Sequence, residues 1–256
     1  MIQYALIDAV FKELKLSKDL FTQSQLEIIS EHIEDLHLKD VAILANPLYS
    51  AEQMDKVAFA LKYLNDEAVG LICEYAHDVI SKTPAFTPDQ MIAIILGFMP
   101  DDEFENPLTY EQVDAYAEPE LSAEIMNTLR ISYSQGLTTN YVKDIATSFD
   151  NPYSFEQVQA LVSVQASITN VEFEKLLNPK FSPEQIFAYA EGFQEIDPEI
   201  MDKLLAHNLS SDEIKQYILL YRVTNEDYKD ELNTFLEKNM SALELCIRRF
   251  QLENQL

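Results

Sequence analysis

The sequence predicts an all-α fold: an α-solenoid of about seven stacked helical hairpins with terminal capping helices. Three observations carry that reading. A short helix-start motif recurs nine times, several recurrences are 28 residues apart, and proline turns separate the units. The motif is a bulky apolar residue, then Ser or Thr, then Gln or Glu three places on, then an apolar residue. Physically it is a capping box with a hydrophobic staple. The hydroxyl accepts from a backbone N–H of the first turn, the Gln or Glu reaches back to the cap N–H, and the flanking apolar pair closes over both.

The elements follow in chain order. Met1–Leu16 carries acids and no uninterrupted apolar run, so it reads as an amphipathic first helix rather than a signal peptide. Caps follow at Thr22 and Ser50, with staples Phe21–Leu26 and Tyr49–Met54. The next caps are Thr87, Thr109 and Ser122, then Ser154, Ser182, Ser210 and Ser241. Only Ser122 lacks the reciprocal partner, because Ile125 stands there. Ser154, Ser182 and Ser210 are 28 residues apart, as are Thr22 and Ser50, and such a period signals an array. Seven residues past the first eight caps an apolar residue recurs, from Ile29 and Val57 to Tyr189 and Tyr217, completing a buried stripe.

A second helix fits in the rest of each unit. After Ser154, residues Ile168, Val171, Leu176 and Leu177 form a second amphipathic stretch, and Asn178-Pro179 ends it. Asn46-Pro47, Asn106-Pro107 and Asn151-Pro152 repeat that stop, with Asn expected in a left-handed cap. A hairpin alone cannot bury its apolar face, whereas stacked hairpins can. One domain is expected over residues 1–256: an N-terminal cap at 1–21, repeats over 22–240 and a C-terminal capping helix at 241–256, its outer face polar. Arg248 and Arg249 suit the negative end of that last helix.

Charge is the second informative property. There are 44 acids against 18 Lys plus Arg, a formal net charge of −26. Affinity for phosphates and for anionic lipid comes from cations, so direct nucleic-acid and membrane-surface binding are disfavoured, and a basic protein partner is favoured. From Thr83 to Leu129 there is no Lys, Arg or His. The caps there are 22 and 13 residues apart, so one enlarged unit is expected, with an acidic loop at Asp101–Asn106 and a second helix starting at Thr109. The candidate partner-binding residues lie in this stretch: Asp101, Asp102, Glu103, Glu105, Glu111, Asp114, Glu118 and Glu120.

Catalytic chemistry finds no foothold in the sequence. His32 and His37 are five apart and do not share a helical face, and there is no H-E-x-x-H, no C-x-x-C and no G-x-S-x-G. The 4 glycines do not cluster into a phosphate-cradling loop. No cofactor and no metal is expected. Cys73 and Cys246 read as buried small hydrophobes of a reducing compartment, and no run approaches a membrane span, so a soluble cytoplasmic protein is expected. Most aromatics belong to staples and stripe, leaving Tyr63, Tyr133 and Tyr221 to line a surface.

At the level of the repeat unit, Asn178-Pro179-Lys180-Phe181-Ser182-Pro183-Glu184-Gln185-Ile186 resembles the acidic helical-hairpin repeats of Firmicutes and their mobile elements. Asn46–Met54 and Thr83–Met91 share its cadence. The resemblance implies a helical array in a mobile-element setting and brings no catalytic residues. Two functions are therefore expected in order: a non-enzymatic protein-binding repeat protein engaging a basic partner, and, as the alternative, a nucleic-acid mimic that inhibits a bacterial defence nuclease.

Overall fold

The computed structural model describes residues 4–79, 86–99, 107–207, 209–223, 229–238 and 240–253. Among them it is all-helical and contains no strand. The chain divides into two compact units, one of residues 1–134 with 138–149, the other of residues 135–137 with 150–256.

The first unit holds α1 (Tyr4–Leu14), α2 (Gln23–His32), α3 (Leu38–Leu44), α4 (Ala51–Leu61), α5 (Asp66–Val79), α6 (Pro88–Gly97), α7 (Tyr110–Asp114), α8 (Ala123–Ser132) and α9 (Thr139–Ala146). The even-numbered helices pack in series, α2 on α4, α4 on α6 and α6 on α8, while α3 packs on α5 behind them. The second unit repeats the scheme with α10 (Phe155–Gln165), α11 (Asn170–Leu176), α12 (Pro183–Glu195), α13 (Pro198–Ala206), α14 (Ser211–Val223), α15 (Lys229–Glu237) and α16 (Ala242–Glu253). There α10, α12, α14 and α16 pack in series, and α13 packs on α15.

Every even-numbered helix starts where the sequence motif places it. At α2, Thr22 Oγ1 accepts from Gln25 N at 3.3 Å while Thr22 N donates to Gln25 Oε1 at 2.6 Å. The same reciprocal box closes at Ser50, Thr87, Ser154 and Ser182, and at Thr109 for α7. Glu213 and Glu244 close it at Ser210 and Ser241, and Ser122 has only the forward bond, from Ile125 N. Staple and stripe residues form the core: Met54, Met91, Val158, Ile186 and Ile214 are fully buried, as are Ile29, Ile94, Leu161 and Tyr189.

The structure adds an interaction that the motif conceals. The capping Gln also uses its amide N–H groups, and they reach the turn that leads into the next even-numbered helix. Gln25 Nε2 donates to Pro47 O at 3.2 Å and Tyr49 O at 2.5 Å. Gln90 Nε2 donates to Pro119 O at 2.9 Å and Leu121 O at 2.5 Å. Gln157 Nε2 donates to Pro179 O at 2.9 Å and Phe181 O at 2.6 Å, and Gln185 Nε2 to Leu209 O at 2.6 Å. Gln53 Nε2 instead donates to Asp89 Oδ1 in the first turn of α6. A carboxamide has both acceptor and donors, so one side chain caps its own helix and clamps the next turn.

Four details differ from the expectation. Asn46 and Asn178 do not adopt left-handed caps; among the described residues only Lys15 and Gly136 have positive φ. Instead Asn46 Oδ1 accepts from Leu48 N at 3.0 Å and Asn178 Oδ1 from Lys180 N at 3.1 Å, an Asx turn across the proline. Odd-numbered helices have caps of their own: Thr169 forms a full box with Glu172, Thr138 caps α9, and Asn65 Oδ1 accepts from Ala68 N at 2.8 Å at the start of α5. Helix α16 runs on to Glu253, so Arg248 and Arg249 sit inside it rather than in its last turn. Cys73 and Cys246 are half-buried rather than fully enclosed.

The clamp predicts an asymmetry between Gln and Glu. Gln157→Glu keeps the box acceptor but removes both donors and turns a carboxylate on two carbonyls, so it should destabilise by about 2 kcal/mol in urea unfolding. Glu172→Gln, in an odd-numbered helix whose box has no such clamp, should change stability by less than about 0.5 kcal/mol. Equal effects at the two positions would remove the clamp.

Candidate partner-binding surface

Of the eight acids singled out, Asp101, Asp102, Glu103 and Glu105 lie outside the described residues. The other four belong to α7 and the turn after it. Helix α7 is the second helix of the enlarged unit and starts at Thr109, as the spacing predicts. It has only five residues, so its position depends on tertiary ties. Leu108 N donates to Gly97 O at 2.9 Å, and the wholly buried Tyr116 donates its hydroxyl to Ala93 O at 3.3 Å, both in or beside α6. Tyr133 at the end of α8 donates to Gln112 O at 3.1 Å, and Tyr75 of α5 donates to Asp114 Oδ1 at 3.1 Å. Tyr75 stacks edge-on against Phe86, with ring centroids 5.8 Å apart.

Gly97 permits this seating. A Cβ there would fall 2.1 Å from the Tyr116 hydroxyl and 3.0 Å from a Val113 methyl. Neither group has room to retreat, since both side chains are fully buried.

The result is a platform holding Glu111, Asp114 and Glu120 exposed and Glu118 half-buried. No ion pair among the described residues engages these four carboxylates. Burial, then the nearby charges of Glu120 and Asp114, push the Glu118 carboxyl above its usual range, and Lys143 only partly offsets them. Glu111 lies in the first turn of α7, where a carboxylate complements the helix dipole.

Beside the platform is a shallow groove of about 290 Å³ between α5 and α7. Asn65, Glu67 and Ala68 line one wall, Leu108 and Tyr110 the other, with Phe98 at its base. Tyr110 is 43% exposed, directly after the Thr109 cap. Glu67, Tyr75 and Tyr110 are not among the sequence-based candidates; of these, Tyr110 carries a local signal, an aromatic at the first helical position outside the apolar stripe. A larger groove of about 630 Å³ runs along α4 and α6, walled by Phe59, Ile92, Leu96 and Met99, with His32 and Asp55 at its edge. His32 Nε2 and Asp55 Oδ1 are 3.1 Å apart there. Tyr63 stands 62% exposed beside Phe59, ring centroids 5.0 Å apart, whereas Tyr133 and Tyr221 are half-buried.

Three of the bases form bridges between successive repeats. Lys62–Asp35, Lys175–Asp202 and Arg222–Glu195 each join residues 27 apart, within one residue of the cap period. Arg222 also reaches Glu191 at 3.0 Å. These pairs hold the Asp35 and Glu195 carboxyls below their usual range, through hydrogen bonds from Lys62 and Arg222.

Among the described residues no cluster of three or more His, Cys, Asp or Glu could hold a metal ion, and no helix is long and apolar enough to cross a membrane. No protein-family model matches the chain, and no curated protein and no solved structure matches it.

Two outcomes test the platform. Gly97→Ala should destabilise by about 1–3 kcal/mol in urea unfolding, through overpacking against Tyr116; a neutral result would mean that α7 is not seated on α6. The Glu118 proton is held more tightly in the folded chain than in the unfolded one, so its ionisation opposes folding. That penalty is present at neutral pH, is relieved as pH falls through the raised folded pKa, and is gone below the unfolded value. Glu118→Gln should therefore stabilise the protein at about pH 7, with the gain vanishing below about pH 4. A gain that did not change with pH would assign the effect to packing instead.

Proposed function

We propose that this chain is a non-enzymatic helical-repeat protein, an α-solenoid, whose acidic surface engages a basic partner protein. One observation carries the reading: four carboxylates on and after α7 are held by a braced platform and, among the described residues, have no ion-pair partner, inside a 47-residue stretch that has no base. Uncompensated charge on a rigid element raises the local concentration of cations and steers a basic partner toward it. The groove beside α7 suits lysine and arginine side chains. Leu108 and Ala68 would accept their aliphatic stems, Glu67 a charged head, and the exposed Tyr110 ring offers a cation–π contact. Repeat arrays present extended surfaces of this kind for binding.

The test is partner capture from the source cell by wild-type protein and by a variant with Glu111, Asp114, Glu118 and Glu120 changed to Lys. A second variant changes Asp101, Asp102, Glu103 and Glu105 to Lys. Capture should fall at least about tenfold in either variant and weaken steeply as salt rises. Undiminished capture by both variants, or capture insensitive to salt, would overturn the assignment.

A further inference from the structure

We propose that the groove along α4 and α6 is a docking site for an amphipathic helix of a basic partner, separate from the α7 platform. The groove, of about 630 Å³, is walled by Phe59, Ile92, Leu96 and Met99. Phe59 is 58% exposed, and Ile92 and Leu96 are half-buried. Helix α7 is seated against Ala93 and Gly97 on another side of α6, so the groove is no part of that seating.

The capping rhythm shows what flanks the groove. Five and nine residues past the cap, one turn apart on the same helical face, α4 carries Asp55 and Phe59, and α6 carries Ile92 and Leu96. All four line the groove, so these positions of successive even-numbered helices form one surface. On α2 the same positions are Glu27 and Glu31, both exposed. The row is thus acidic on α2, mixed on α4 and apolar on α6. Helix packing does not demand this, since α10 has the exposed Gln159 and Ser163 at the same places. His32 Nε2 stands 3.1 Å from Asp55 Oδ1 and ties α2 to α4 at the edge of the groove, so acidic flank and groove are held side by side.

The occupant follows from the pairing of an apolar groove with one acidic flank. A helix laid along α4 and α6 presents an apolar stripe to Phe59, Ile92 and Leu96, the mode in which helical anchors fill a hydrophobic groove. Its side toward α2 meets Glu27 and Glu31, which are one turn apart and, among the described residues, enter no ion pair. Lys or Arg residues one turn apart on that side of the docked helix complement them. A second copy would bring its own net charge of −26 against the same acids, and an anionic membrane is repelled in the same way. The apolar contact supplies affinity. The acidic flank selects orientation, because a reversed helix would turn its uncharged side to α2.

The experiment measures binding of two synthetic peptides, each of about four helical turns, to the full chain by fluorescence anisotropy. One has leucines on one helical face and lysines beside them; the other has serine in place of every leucine, at the same charge. The Leu/Lys peptide should bind at least about tenfold more tightly than the Ser/Lys peptide. Phe59→Asp, at an exposed position and checked for unchanged helicity, should weaken that binding at least about tenfold, although the added acid by itself attracts lysine. Leu96→Ala, which adds no charge, should weaken it about threefold or more. Glu27→Gln with Glu31→Gln should weaken it more than Glu156→Gln with Glu199→Gln, the same charge change made elsewhere, and the difference should shrink as salt rises. Equal binding of the two peptides, or a Phe59→Asp chain that binds like wild type, overturns the proposal. So does a wild type that self-associates, or binds phosphatidylcholine–phosphatidylserine vesicles, through Phe59, since the groove then serves another occupant. None of these outcomes depends on capture of a partner by the α7 platform, so the two assignments fail separately.

Discussion

One side chain, the capping glutamine, ties local structure to tertiary structure here. A helix start leaves backbone N–H groups unpaired, and a proline turn leaves carbonyls unpaired. Gln25, Gln90 and Gln157 answer both needs, accepting from their own cap with Oε1 and donating to two carbonyls of the following turn with Nε2. Gln25 and Gln90 are almost wholly buried, which is tolerable because their hydrogen-bonding groups find partners. The arrangement also fixes register. The carbonyl just before each cap, at Tyr49, Leu121 and Phe181, is held by the preceding repeat, so the new helix starts at a set place. The series has one apolar break at Ile125, in the last even-numbered helix of the first unit, and ends at Glu213, which completes its box but has no N–H to give.

The same economy shapes the electrostatics. Exposed ion pairs contribute little each, usually under about 1 kcal/mol. Placing Lys62, Lys175 and Arg222 about one repeat length from their acids makes them markers of repeat register more than sources of stability. Polar residues of the turns engage in caps and clamps, while among the described residues no ion pair reaches the carboxylates of α7 and its turn. On the proposed reading, the bracing of α7 by Tyr75, Tyr116 and Tyr133 would order charge in advance and so lower the entropic cost of binding a partner.

Most of the helix starts were legible because a capping box is local. Its donors and acceptors lie within four residues, so Ser154 and Gln157 announce α10 without reference to the rest of the chain. The core stripe was legible for the same reason. What depends on distant chain was not. Gln157 gives no sequence sign that its amide protons will meet Pro179 and Phe181, 22 and 24 residues on. The Thr169 box, Ile168-Thr169…Glu172-Phe173, is equally local, but the apolar residues of the second stretch do not point to it. The Asn-Pro stop marks the right place in the chain, where the structure has an Asx turn instead of a left-handed cap. Asn is suited to both a left-handed cap and an Asx turn, and only backbone angles separate them. On the platform, Glu111, Asp114, Glu118 and Glu120 were found from an absence of bases. Tyr75 and Tyr110, which shape the surface around them, come to light only through the Tyr75–Asp114 hydrogen bond and the groove lined from α5 to Tyr110.

Net charge sets what a binding surface of this molecule has to supply. A protein at −26 attracts cations from any direction, so acidity alone selects poorly; selection needs carboxylates held in fixed geometry beside apolar contacts. On the proposed reading, Glu111 and Asp114 of the braced α7 supply the first, and the groove that runs from Ala68 to Leu108 and Tyr110 supplies the second.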